Sequence, residues 1–86
     1  MCTMILERVA VSGAGKRPEG WFELSHASVT YDHPFHVRLE HALNIDFANE
    51  AAGPSGRLAV ELEPDSARAL AEAILQALER GEEAGV

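Results

Sequence analysis

Apolar and polar residues alternate along several stretches of this chain, and a stretch near its C-terminal end changes to a helical period. Residues 41–47 (HALNIDF) alternate most cleanly: His41, Leu43, Ile45 and Phe47 point one way, and Ala42, Asn44 and Asp46 the other. Residues 57–63 (RLAVELE) repeat the pattern, with Leu58, Val60 and Leu62 on one face. Residues 3–12 (TMILERVAVS) are rich in β-branched and aliphatic side chains and read as a strand. Residues 21–33 (WFELSHASVTYDH) alternate imperfectly and read as a long strand, bulged near Trp21-Phe22. Glycine and proline mark the segments between: 13–20 (GAGKRPEG) as a loop, 34–40 as a loop opened by Pro34, and 48–56 (ANEAAGPSG) as a turn region.

Pro64 closes the last strand, and Asp65 or Ser66 is placed to cap a helix. Over 66–80, Ala67, Leu70, Ala71, Ile74, Ala77 and Leu78 form one stripe, while Arg68, Glu72, Gln76, Glu79 and Arg80 lie outside it. Gly81 reads as the stop, leaving 1–81 as one domain and 82–86 as a flexible acidic tail. The expected fold is α+β: a four-stranded antiparallel β-meander with one C-terminal α-helix packed on one face, ββββα.

The alternation also predicts registers. If partners on the second and third strands sum to 74, Tyr31 lies opposite Leu43, Val29 opposite Ile45 and Ala27 opposite Phe47. If partners on the third and fourth sum to 105, Leu43 lies opposite Leu62, Ile45 opposite Val60 and Phe47 opposite Leu58. Both choices collect apolar side chains on one face, where the helix stripe is expected to cover them. The other face is mixed and holds Phe22, Leu24, His26, Ser28, Thr30, Asp32, Asn44 and Asp46, with Met4, Leu6, Arg8 and Ala10 from the first strand. One helix cannot cover both faces. The reading is therefore a homodimer through the uncovered sheet face, with Trp21 near its rim.

Composition narrows the partners. The 86 residues carry fourteen acids against seven bases, a formal charge of −7, with a pI near 4.9. Nucleic-acid backbones and anionic membrane surfaces need clustered Lys and Arg, and only Lys16-Arg17 are adjacent. No apolar run approaches a membrane span, no signal peptide is evident, and a single cysteine forms no internal disulfide, so a cytoplasmic location is expected. At 47% apolar residues the chain is a globular domain rather than an acidic tail.

All four histidines fall between positions 26 and 41. In the sum-74 register His33 and His41 are cross-strand neighbours at a hairpin mouth, and His36 lies in the loop between them. Three converging imidazoles suit a divalent transition metal, Zn²⁺ above all, with Cys2, Asp32 or Glu40 available to a fourth position or to ring N–H groups. Histidine is also a common turn and strand-end residue, and the spacing is not one of the strong zinc signatures. His26 has the opposite parity, diagonal to Asp46 and beside Ser28. A His26–Asp46 pair is the candidate for acid–base catalysis in a cofactor-free lyase or isomerase, while no nucleophile elbow surrounds Ser28. Gly13-Ala14-Gly15-Lys16 lacks the first glycine and the final hydroxyl of a phosphate loop. A non-enzymatic protein-interaction module using exposed apolar surface is the remaining reading.

Met1-Cys2-Thr3, Gly20-Trp21-Phe22, Tyr31-Asp32-His33-Pro34, Asn44-Ile45-Asp46-Phe47 and Ser66-Ala67-Arg68-Ala69-Leu70-Ala71-Glu72 together resemble a family of small bacterial proteins of unknown function, over nearly the whole chain. The resemblance implies a complete small protein and carries over no catalytic residue.

Overall fold

The structure is a computed structural model that describes residues 5–34 and 40–85. Four antiparallel strands form one open sheet in the order β1-β2-β3-β4. They are β1 (Ile5–Arg17), β2 (Gly20–Asp32), β3 (Ala42–Ala48) and β4 (Arg57–Leu62), and a single helix α1 (Pro64–Glu83) follows them. The order is ββββα.

Both expected registers occur. Tyr31 pairs with Leu43, Val29 with Ile45 and Ala27 with Phe47. Leu43 pairs with Leu62, Ile45 with Val60 and Phe47 with Leu58. A one-residue slip would turn every side chain of a strand to the other face, so apolar alternation on three adjacent strands excludes every odd slip from this register. An apolar face results, carrying Val29, Tyr31, Leu43, Ile45, Phe47, Leu58, Val60 and Leu62. The opposite, polar face carries His26, Ser28, Thr30, Asp32, Asn44, Asp46, Arg57 and Glu61.

The segment 13–20, expected as a loop, is mostly strand: β1 runs to Arg17 and turns tightly through Pro18 and Glu19 into β2. The irregularity expected near Trp21-Phe22 lies instead in β1, between Ala10 and Gly13. The last β2–β3 pair is His26 with Ala48, so Gly20–Leu24 pair only with β1 and extend as a two-stranded ribbon. Cross-strand contacts hold it. A Cβ at Gly15 would stand 3.2 Å from the Phe22 ring, so the missing side chain is what lets the ring lie over the backbone. Lys16 places its ammonium 5.9 Å from the centroid of its cross-strand partner Trp21.

Between β3 and β4 the chain makes a 3₁₀ turn, Glu50–Ser55, capped by the Asn49 side chain, which accepts from the Ala51 N–H at 3.0 Å. The turn closes on Gly56, whose carbonyl accepts from the Asn49 N–H at 2.8 Å.

The helix starts earlier and ends later than its pattern predicts. Pro64 is its first residue, which suits a ring with φ preset and no N–H to lose. Glu63 takes the N-cap position without a side-chain bond, so neither Asp65 nor Ser66 is the cap. The helix passes through Gly81, and Glu82 and Glu83 belong to it rather than to a tail.

The helix packs loosely. The helix begins over the expected face, but it is not sealed onto the sheet. No residue of α1 is buried. A cavity of about 310 Å³ lies between Pro64, Ala67, Arg68 and Ala71 of its first turns and Tyr31 and Leu43 of the sheet. Farther along, Leu70, Ile74, Leu75 and Leu78 are 46–66% exposed. The reason is the link: β4 ends at Leu62 and α1 begins at Pro64, leaving only Glu63 between them. Glu63 is held extended (φ −63°, ψ 145°), as a residue before proline prefers. Strand-to-helix connections that fold a helix back over its sheet typically use two to six residues.

The sheet's own core is correspondingly thin. Among the described residues, Ala27 and Ala42 are the buried apolar side chains. The chain exposes 6791 Å², whereas a compact protein of its mass exposes about 5,000 Å². The radius of gyration is 14.7 Å, against about 12 Å for a compact chain of this length.

A methyl group tests the β3–β4 connection. A Cβ on buried Gly56 would lie 2.6 Å from the Ala52 Cβ. Gly56→Ala is expected to destabilise the fold by about 1–3 kcal/mol, read as a lower midpoint in urea with an unchanged slope.

Candidate functional site

The polar face collects the titratable groups in two places. At the ribbon end of the sheet, Ser25 ties three elements together. Its hydroxyl donates to the Ala48 carbonyl at 3.2 Å and accepts from the Glu50 N–H at 3.2 Å. The His26 Nδ1 lies 3.1 Å from the same oxygen. A serine hydroxyl has one proton, and Ala48 takes it, so the imidazole Nδ1–H donates to the Ser25 oxygen. The Glu50 carboxylate stands 3.8 Å from His26 Nδ1 and is itself bonded by Arg8. His26 is mostly enclosed, its side chain 16% exposed. This Arg8–Glu50–His26–Ser25 group has the elements of an oriented imidazole beside a carboxylate. No sequence pattern signals its two carboxylate contacts. The sum-74 register places Ala48 opposite His26, so a residue two positions beyond it was within reach, but only the 3₁₀ turn brings Glu50 back.

The second place is a cleft of about 730 Å³ lined by Thr30, Asp32, His33, Asn44, Asp46, Arg57 and Glu61, among others. Arg57 grips Asp46 bidentately, Nε and Nη2 each 2.7 Å from a carboxylate oxygen. This contact raises the Arg57 pKa further above its ordinary value, first through the hydrogen bond and then through the charge of Asp46. The expected His26–Asp46 pair is thus divided. The two are diagonal on one face, because Asp46 pairs with Ser28 while His26 pairs with Ala48. Asp46 is committed to Arg57, and His26 to Ser25 and Glu50.

His33 and His41 meet as the register requires, at the end of the sheet, where His33 also borders the cleft. Their ring centroids are 5.3 Å apart and the planes differ by 21°. Tyr31 continues the stack on His41 at 5.1 Å and 4°. His33 is fixed by its N–H to the Asp32 carboxylate at 2.7 Å and by Nδ1 donating to the Glu40 carbonyl at 2.8 Å. A metal ion lies in the plane of each ligating ring, about 2.0–2.1 Å from its nitrogen. Nearly parallel stacked rings share no such point, so joint ligation requires one ring to turn. His36 and Cys2 lie outside the described residues. Among the described residues no group of three His, Cys, Asp or Glu side chains is placed to hold an ion.

A family model described as a family of unknown function matches residues 1–86. The chain belongs to that family, DUF6295. No curated protein and no solved structure matches it. Among the described residues of this DUF6295 chain, no helix is long and apolar enough to cross a membrane.

The Asp46–Arg57 pair offers a measurable quantity. The carboxylate is 36% and the guanidinium 58% exposed, so solvent screens them. A double-mutant cycle with Asp46→Asn and Arg57→Gln is expected to give a coupling of about 0.2–1 kcal/mol that shrinks as salt is raised.

Proposed function

We propose that this protein is a non-enzymatic interaction module whose working surface is the apolar stripe of α1 together with the apolar face of the sheet. One observation carries the reading: a 20-residue helix with a well-formed apolar stripe that contains no buried residue. Singly exposed leucines are ordinary, but a continuous stripe of Leu70, Ile74 and Leu78 over an incompletely covered sheet marks surface meant for another surface. The net charge of −7 and the scattered placement of the seven Lys and Arg in the sequence favour a protein partner over nucleic acid. A photo-crosslinking residue placed at Ile74, in cells producing the protein, is expected to yield an adduct heavier than the monomer. The same residue at Glu72, outside the stripe, is expected to yield far less. Equal or absent adducts at the two positions would remove the reading.

A second reading is divalent-metal binding by His33, His36 and His41, and it draws support from the adjacency of His33 and His41. Zn²⁺ is the favoured ion by the borderline softness of imidazole. Tag-free protein is then expected to take up one equivalent of Zn²⁺ by calorimetry and to melt at a higher temperature with it. The His33→Ala/His36→Ala/His41→Ala variant is expected to do neither. A melt indifferent to both zinc and chelator in the parent chain rules the metal out.

A further inference from the structure

We infer that the partner of this surface is a second copy of the chain, and that the two copies exchange helices, each α1 laying its stripe on the apolar sheet face of the other. The inference rests on the interaction reading above and adds the partner and the geometry. Three observations carry it. First, the link is short: Glu63 alone joins β4 to Pro64, the proline ring fixes the direction in which the helix departs, and beyond its first turns the stripe of α1 is exposed. Short, constrained connections are the usual origin of exchanged elements. Second, the unpartnered surfaces are complementary within one chain. The helix offers Leu70, Ile74 and Leu78 and lacks a sheet. The sheet offers Leu43, Ile45 and Val60, each half-buried, and among the described residues the first helical turns meet it across a cavity. A two-fold axis satisfies both at once, because the contact made by one helix is repeated by the other. Third, the exposed area leaves room for such an interface, although the β1–β2 ribbon, with Leu6, Val9 and Trp21 exposed, shares in it. The chain exposes 6791 Å², about 1,800 Å² more than a compact protein of its mass. Obligate dimers bury about 2,000–5,000 Å² in total, or about 1,000–2,500 Å² on each partner.

The polar-face cleft is lined by an ion pair already satisfied internally, and the Arg8–Glu50–His26–Ser25 group likewise closes on itself.

The purified full chain is expected to sediment at twice 9.3 kDa. Ile74→Asp is expected to weaken the dimer about a hundredfold, since the substitution is felt at two symmetric contacts. Inserting a flexible Gly/Ser segment between Glu63 and Pro64 lets the helix fold back on its own sheet. That variant is expected to be a folded monomer, with helical circular dichroism retained. A monomeric parent chain overturns the inference, and so does a dimer that survives both the insertion and Ile74→Asp. A monomeric parent whose Ile74 probe still crosslinks to a different protein in cells leaves the interaction module standing and removes only the exchange.

Discussion

Most of what is unusual in this fold follows from one covalent constraint, the single residue between the last strand and the helix. A strand leaves the sheet along its own axis, and a helix that is to cover that sheet must turn back across it. Turning back needs several residues with free dihedral angles. Here Glu63 is held extended by the ring of Pro64, and the helix sets off from the end of β4 with only its first turns over Tyr31 and Leu43. The stripe of α1 stays in solvent, and the sheet beneath remains half-buried. Stability therefore rests more on the backbone ladder and on cross-strand side-chain pairs than on a sealed core, whose buried apolar members among the described residues are two alanines.

The polar face is organised independently of that constraint. Its groups bond among themselves along and across strands: Asp46 to Arg57 over the β3–β4 pair, and Ser25 to Ala48 and Glu50 where the chain leaves β3. These contacts fix the β3–β4 connection and orient His26 without help from the helix. Two faces of one sheet thus do different work. One satisfies its own polar groups, and the other leaves apolar area unsatisfied.

The register was legible in the sequence because alternation on 41–47 and 57–63 fixes which face leucine, isoleucine and valine share, and the observed pairing sets the most of them directly opposite one another. The same arithmetic brought His33 beside His41. The rest depended on things that alternation does not encode. Gly13 and Gly15 read as loop residues by composition, yet Gly15 sits in a strand because the Phe22 ring covers it. Glu50 reaches His26 through a 3₁₀ turn, whose path is set by the Asn49 cap and the close approach at Gly56 rather than by any periodicity. The helix stripe was visible, but its placement was decided by Pro64 following directly on the strand. That proline signals a stop to the strand and, equally, a first turn that leaves no slack.

Charge determines how such exposed apolar surface is tolerated. At −7 the chains repel one another at a distance, with a reach of about 8–10 Å in ordinary buffers. Indiscriminate apolar collisions are discouraged, and only an arrangement that buries enough area outweighs the repulsion. The helix distributes its charges accordingly. Glu72 and Glu79 lie off the stripe, with Arg68 and Arg80 each one turn or less from an acid. The stripe itself is uninterrupted by charge from Ala67 to Leu78, so a complementary apolar surface meets no buried ion there. A surface kept clean of charge on an otherwise acidic protein discriminates by shape and area, and the sheet face at the other end of the Glu63 link has the matching chemistry.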